Sequence, residues 1–226
     1  MEYPHKFFFW CKVFIIIFFI NIKTIKSQDF GSDIMSSYVW RGTQFGGGAH
    51  VQPWMELNFG SFTGGFWGSF PTTDNGGGNE LDLYLSYSFK NYETKEKFLE
   101  FTLTNYSFPL ENGTYKSGEG LFETNYFEVS GLVKLGPANL MLGYFTKIKS
   151  LYIETSFSSG PIEFGFGYGY DSKTPFYVNG ESGLCSLSVN GSKEIKFTDD
   201  FSLPVLSSFV YNPQSEAAFL VFGMSF

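Results

Sequence analysis

"AAFLVFGMSF", residues 217–226, alternates side chain by side chain: Ala218, Leu220, Phe222, Met224 and Phe226 fall on one face, Ala217, Phe219, Val221, Gly223 and Ser225 on the other. A period of two marks a β-strand, because successive side chains of a strand point to opposite faces. The stretch ends on an aromatic residue, Phe226. Chain ends that lie in water are usually polar or small. A strand that stays apolar to its last position needs an apolar surface to face.

The same alternation recurs upstream. In "HVQPWMELNFG" (50–60), Val51, Met55, Leu57 and Phe59 share one face and Gln52, Trp54, Glu56 and Asn58 the other. In "NELDLYLSYSF" (79–89), Leu81, Leu83, Leu85, Tyr87 and Phe89 oppose Glu80, Asp82, Tyr84, Ser86 and Ser88. In "PIEFGFGYGY" (161–170), Ile162, Phe164, Phe166, Tyr168 and Tyr170 oppose Glu163 and three glycines. Each segment has one apolar face and one polar or tiny face. Twelve such strands are expected, over 33–42, 50–59, 61–70, 79–89, 97–107, 122–134, 138–146, 150–158, 161–170, 183–197, 201–211 and 217–226. The aromatic content is 21%, with 29 Phe and 26 Gly, while charged residues make up only 16%. Few water-soluble domains have this composition. No stretch after residue 22 holds the eighteen or so consecutive apolar residues of a membrane helix.

The connections alternate as well. After even-numbered segments they are Gly60, "KNYETKE", "GPA", "SSG" and "TDD"; after odd-numbered segments they include "TQFGGGAH", "PTTDNGGG", "SFPLENGTYKSGEGLF" and "DSKTPFYVNGES". The connection near "KIKS" is a short exception. Short turns on one side and long Gly- and Asn-rich loops on the other are the pattern of bacterial outer-membrane barrels, and an even strand number puts both chain ends on the short-turn, periplasmic side. The expected fold is therefore all-β, a transmembrane antiparallel up-and-down β-barrel of about 12 strands. A soluble β-sandwich also alternates, but its outer face should be charged. Tyr38, Trp40, Phe70, Phe89, Tyr144, Tyr170, Tyr211 and Phe226, near strand ends, are expected to form aromatic girdles at the two membrane interfaces.

Residues 1–27 carry Lys6 and Lys12, an apolar core from Val13 to Ile22 and a polar stretch ending in the small Ser27. This reads as a signal peptide cut before Gln28, with the barrel over 28–226; Ile25 is an imperfect fit to the cleavage pattern. Its removal takes four lysines and one glutamate from 15 basic and 22 acidic residues, leaving a net charge of −10. Such a chain lacks the basic residues that neutralise phosphates, so nucleic acid is not an expected partner. Cys11 falls in the signal peptide, which leaves Cys185 with no partner for an internal disulfide.

Three stretches, "SSYVWRG" (36–42), "NELDLYLSYSF" (79–89) and "NYFEVSGLV" (125–133), resemble successive motifs of Gcw_chp, a family of exported bacterial proteins. Ser37 stands where that family's first motif has an acid. The resemblance implies an exported outer-membrane barrel and adds no activity. The terminal residues Phe222, Met224 and Phe226 likewise resemble the signal read by the outer-membrane assembly machinery, which together with the lipid bilayer is an expected partner.

Parity puts Arg41, Glu56, Glu80, Asp82, Glu100, Glu128, Glu154 and Glu163 on lumen-facing positions, so the lumen should be acidic. Twelve strands about 4.8 Å apart, tilted about 40°, form a cylinder roughly 24 Å across with a passage on the order of 10 Å. The expected function is a passive, cation-leaning channel for small solutes in the cell outer membrane; a closed structural or surface-interaction barrel is the alternative. Arg41, the only arginine, is expected at the outer end of the first strand, paired with Glu80 and Asp82. No catalytic residue, metal or cofactor is expected. His50, the one histidine after the signal peptide, reads as a surface residue at a loop rim, which makes an outer-membrane hydrolase the least favoured reading. "TTDNGGGNELD" (72–82), with Asp74, Asn75, Glu80 and Asp82, lacks the spacing of a calcium loop and reads as a flexible turn.

Overall fold

A computed structural model describes residues 27–73, 77–108, 110–111, 114–115, 125–172, 176–178 and 180–226. The signal-peptide reading of 1–26, the calcium-loop candidates Asp74 and Asn75, and most of the loop at 107–122 lie outside the described residues. The elements in chain order are β1 (Ser27–Met35), β2 (Tyr38–Trp40), β3 (Thr43–Gly46), β4 (His50–Phe59), β5 (Phe62–Pro71), β6 (Glu80–Lys90), β7 (Lys97–Ser107), β8 (Leu110–Glu111), β9 (Thr114–Tyr115), β10 (Tyr126–Leu135), β11 (Ala138–Phe145), β12 (Ser150–Ser159), β13 (Ile162–Asp171), β14 (Ser182–Lys196), β15 (Ser202–Asn212) and β16 (Ala217–Ser225).

Twelve of these strands form one closed antiparallel up-and-down barrel, in which β1 bonds to both β4 and β16; β2–β3 and β8–β9 are separate small hairpins. The terminal stretch closes the ring. Asp33 pairs with Ser225, Ile34 with Met224 and Met35 with Gly223. Ser32 and Phe226 exchange backbone hydrogen bonds at 3.1 and 3.0 Å. Closure satisfies the backbone groups that an open edge would leave bare. Phe222, Met224 and Phe226 point outward, and Phe226 keeps 60% of its surface exposed, while Val221 on the opposite face is buried.

The barrel is inverted relative to a water-soluble protein. On β6, Leu83, Leu85, Tyr87 and Phe89 are exposed outside while Glu80, Asp82, Ser86 and Ser88 are buried inside. On β13, Ile162, Phe164, Phe166, Tyr168 and Tyr170 are exposed, and the intervening glycines are buried. Two-residue turns at 60–61, 136–137 and 160–161 crowd one rim, together with both ends of the described chain. The other rim carries 36–49, 72–79, 108–125 and 172–181, and also the short links 146–149 and 213–216.

The first strand departs from the expected 33–42: the wall strand is Ser27–Met35. At Ser36 the chain leaves the wall. The Ser36 N–H donates to the Phe222 carbonyl at 2.7 Å, and its Oγ accepts the Phe222 N–H at 2.9 Å, which ends the pairing. Residues 38–46 then form β2–β3, which enters the lumen. Tyr38 and Trp40 are therefore lumen residues, not girdle aromatics. The expected girdle members Phe89, Tyr144, Tyr170 and Phe226 are exposed on the outside.

Candidate functional site

β2 and β3 pair through Trp40 and Thr43, so the turn between them is Arg41–Gly42. Both residues have positive φ, 48° and 82°. That is the backbone of a two-residue hairpin turn whose twist matches its strands. Glycine adopts it freely; arginine rarely does. A Cβ at Gly42 would overlap the Cys185 carbonyl on β14, so the tip lies flat against that strand. Asn212 Nδ2 on β15 donates to the Gly42 carbonyl at 3.0 Å and ties it there.

Arg41 thus projects from the hairpin tip across the lumen. Its guanidinium makes a forked ion pair with Glu128 on β10, Nη1 to Oε2 at 2.5 Å and Nη2 to Oε1 at 3.0 Å, and Nη1 also donates to Tyr177 Oη at 2.6 Å. The guanidinium carbon lies 4.2 Å from the Trp40 ring centre and 4.4 Å from that of Tyr152. The side chains of Arg41 and Glu128 are only 8% and 2% exposed. Gly143 makes the room: a Cβ there would press on the Glu128 carboxylate. Breaking such a buried pair from one side costs about 3–5 kcal/mol, and stacking of a desolvated cation on an aromatic ring contributes up to about 2 kcal/mol.

The pairing of Arg41 with Glu80 and Asp82 is therefore corrected. Those acids lie on β6, two strands along the wall from Glu128 on β10, and Glu80 Oε2 instead accepts the Tyr38 hydroxyl at 2.8 Å. The position of Arg41 is corrected with it: it sits at the tip of an inward hairpin, not at the end of a wall strand. The three stretches that carried the family resemblance meet here, since Tyr38 bonds Glu80 and Arg41 bonds Glu128.

The remaining acids sit lower along the inner face. Glu56 accepts from Tyr84 at 2.8 Å, Glu154 from Tyr152 at 2.6 Å, Glu100 from Ser88 at 2.5 Å and Lys97 at 3.3 Å, and Glu163 from Ser156 at 3.3 Å. Asp82 is 6% exposed, and its Oδ1 has no hydrogen-bond partner among the described residues. His50 is corrected too: it is fully buried, with ring nitrogens 3.0 Å from the Gly48 and Gly77 carbonyl oxygens. Both nitrogens face carbonyls, which leaves neither to serve a serine.

A second element completes the stopper, and the sequence reading missed it. Asp171, the last residue of β13, accepts the backbone N–H groups of Phe176, Tyr177 and Val178 at 2.8, 2.8 and 3.0 Å on one oxygen. This folds 176–178 inward, and the Tyr177 ring packs on Phe145, Tyr152 and Phe176 with Trp40 beside them. The passage of about 10 Å that twelve strands allow is filled at this rim. Below the hairpin lie a cavity of about 360 Å³ and, toward the short-turn rim, one of about 450 Å³ lined by Glu163, Asn190 and Ser207. The two share Met35 and Ser208 in their walls.

No protein-family model and no curated protein matches this chain, so the likeness of its three stretches to Gcw_chp motifs rests on those residues themselves.

Proposed function

We propose that the protein is an outer-membrane β-barrel of a Gram-negative bacterium whose acidic lumen serves small cationic solutes and is stoppered at the long-loop end by residues 38–46. The inverted surface carries the membrane half of this reading: a wall of exposed Phe, Leu, Ile and Tyr around a polar interior needs lipid outside. A ten-residue strand such as β13 rises about 25 Å when tilted about 40°, the height of an outer-membrane apolar band. The two interior cavities favour a solute-holding lumen over a solidly packed structural barrel. Passage through the barrel then requires the hairpin to yield. The three motifs fit membership of the Gcw_chp family, and the outward Phe222, Met224 and Phe226 fit a role in recognition by the assembly machinery.

Orientation is tested by adding trypsin to whole cells. Cleavage near Lys116 or Lys173, in the long-rim loops, is expected. Cleavage confined to Lys95 or Lys97, at the opposite rim, would reverse the orientation, and full protection after outer-membrane permeabilisation shown to admit the protease would remove the loops from both surfaces.

A further inference from the structure

The cavity beneath the hairpin has a particular chemistry. Asp82 lines it, and the strand register sets Asp82 directly between Trp67 on β5 and Tyr106 on β7. Opposed side chains on neighbouring strands start about 5 Å apart, so a carboxylate stands between two aromatic rings. Tyr38, Trp40 and Gln52 form more of the wall, and no lysine or arginine is among the described lining residues. Glu80, beside Asp82, is buried; it accepts the Tyr38 hydroxyl and shares a side-chain hydrogen bond with the Asp82 carboxyl. Asp82 receives the Ser107 backbone N–H, while its Oδ1 has no hydrogen-bond partner among the described residues. Arg41 is committed to Glu128. Of this hydrogen-bonded pair of buried carboxyls Asp82 faces the chamber, and among the described residues no cation pairs with it.

We propose that this chamber binds a small organic cation, an alkylammonium or quaternary ammonium, with Asp82 as its counter-ion and Trp67 and Tyr106 as the rings it packs against. A carboxylate set among aromatic faces is the environment that stabilises a desolvated ammonium group. A hard metal ion would need about six oxygen ligands, and among the described residues no group of three or more His, Cys, Asp or Glu could hold one. The chamber's volume of about 360 Å³ falls in the range of small-ligand pockets, roughly 300–1,000 Å³. The ligand enters from the short-turn side, through the neighbouring cavity.

This inference deepens the proposed small-cation lumen and rests on the barrel of that reading, but not on conduction. The test is calorimetric titration of the refolded protein in detergent micelles with choline and with its uncharged carbon isostere, dimethylbutanol. Choline should bind saturably, and the isostere at least about tenfold more weakly. Asp82→Asn, which keeps the shape, should weaken choline binding at least about tenfold, and Trp67→Leu several-fold, while Glu93→Gln in a surface turn leaves it unchanged. Each variant's folded state is checked by its heat-dependent gel mobility. Absence of choline binding by the wild type would overturn the proposal, as would equal binding of the isostere, full affinity in Asp82→Asn, or displacement of choline by equimolar sodium or calcium chloride. Choline binding by the wild type, with no conductance even from a folded variant lacking Tyr38–Gly46, would keep the site and remove the pore; conductance by that variant without choline binding by the wild type would do the reverse.

Discussion

Arg41→Ala should lower the stability of the folded barrel by about 3–5 kcal/mol, because it strands Glu128 as a buried carboxylate with no counter-charge. The wild-type pair is enclosed: both side chains are nearly inaccessible, and Trp40, Tyr152 and Tyr177 surround the guanidinium. Tyr106, 3.4 Å from Glu128 Oε1, is the remaining donor and cannot replace a forked cation. Removing both charges should restore much of the loss, so Arg41→Ala combined with Glu128→Gln should be more stable than Arg41→Ala alone. The coupling in that cycle should exceed the coupling of Arg41→Ala to Glu80→Gln, whose carboxylate is held by Tyr38. Urea titration of the refolded variants measures both cycles. Loss of less than about 1 kcal/mol, the range of an exposed pair, with no coupling to Glu128 would mean that the hairpin tip is not anchored as described.

The second large effect is expected on the opposite face of the wall. Phe166, midway along β13 and 50% exposed, should meet the centre of the bilayer. Phe166→Arg should cost about 2–4 kcal/mol in lipid vesicles, and Tyr170→Arg, near the rim, at most about 1 kcal/mol. The gradient matters more than either number. In water an exposed arginine costs little at any height, so equal and small effects at the two positions would place the outer surface in water.

Eleven of the twelve wall strands lie within four residues of where alternation put them. Each strand carries its own period-two signal, because one side meets an apolar surface and the other a polar interior, and this does not depend on knowing the partners. The first strand failed for a related reason. Tyr38 and Trp40 continue the alternation past Met35, and parity cannot distinguish a strand that stays in the wall from one that folds into the lumen. The break is made by Ser36, whose two bonds to Phe222 close β1 against a strand 186 residues away. Parity puts Arg41 on the lumen side but gives it the wrong partners, because it keeps the residue on a wall strand whereas the hairpin carries it inward to Glu128 on β10. Its true partner lies 87 residues away. The Asp171 clamp on 176–178 leaves one trace in the sequence, an aspartate followed by Ser-Lys-Thr-Pro, and such turn-forming sequences are common. His50 looked like a rim residue because the carbonyls that bury it come from Gly48 and from Gly77, neither of which a local reading connects to it.

The central claim is that residues 38–46 stopper a membrane barrel whose lumen is otherwise passable. Conductance in planar lipid bilayers tests it most directly, comparing the wild type with a variant in which Tyr38–Gly46 is excised and Ser37 joined to Gly47. The wild type should be almost silent, and the excised variant, checked for its folded gel mobility, should open steps whose reversal potential in a salt gradient shows cation preference. A wild type that conducts as well as the excised variant, or a folded excised variant that stays silent, would contradict the account.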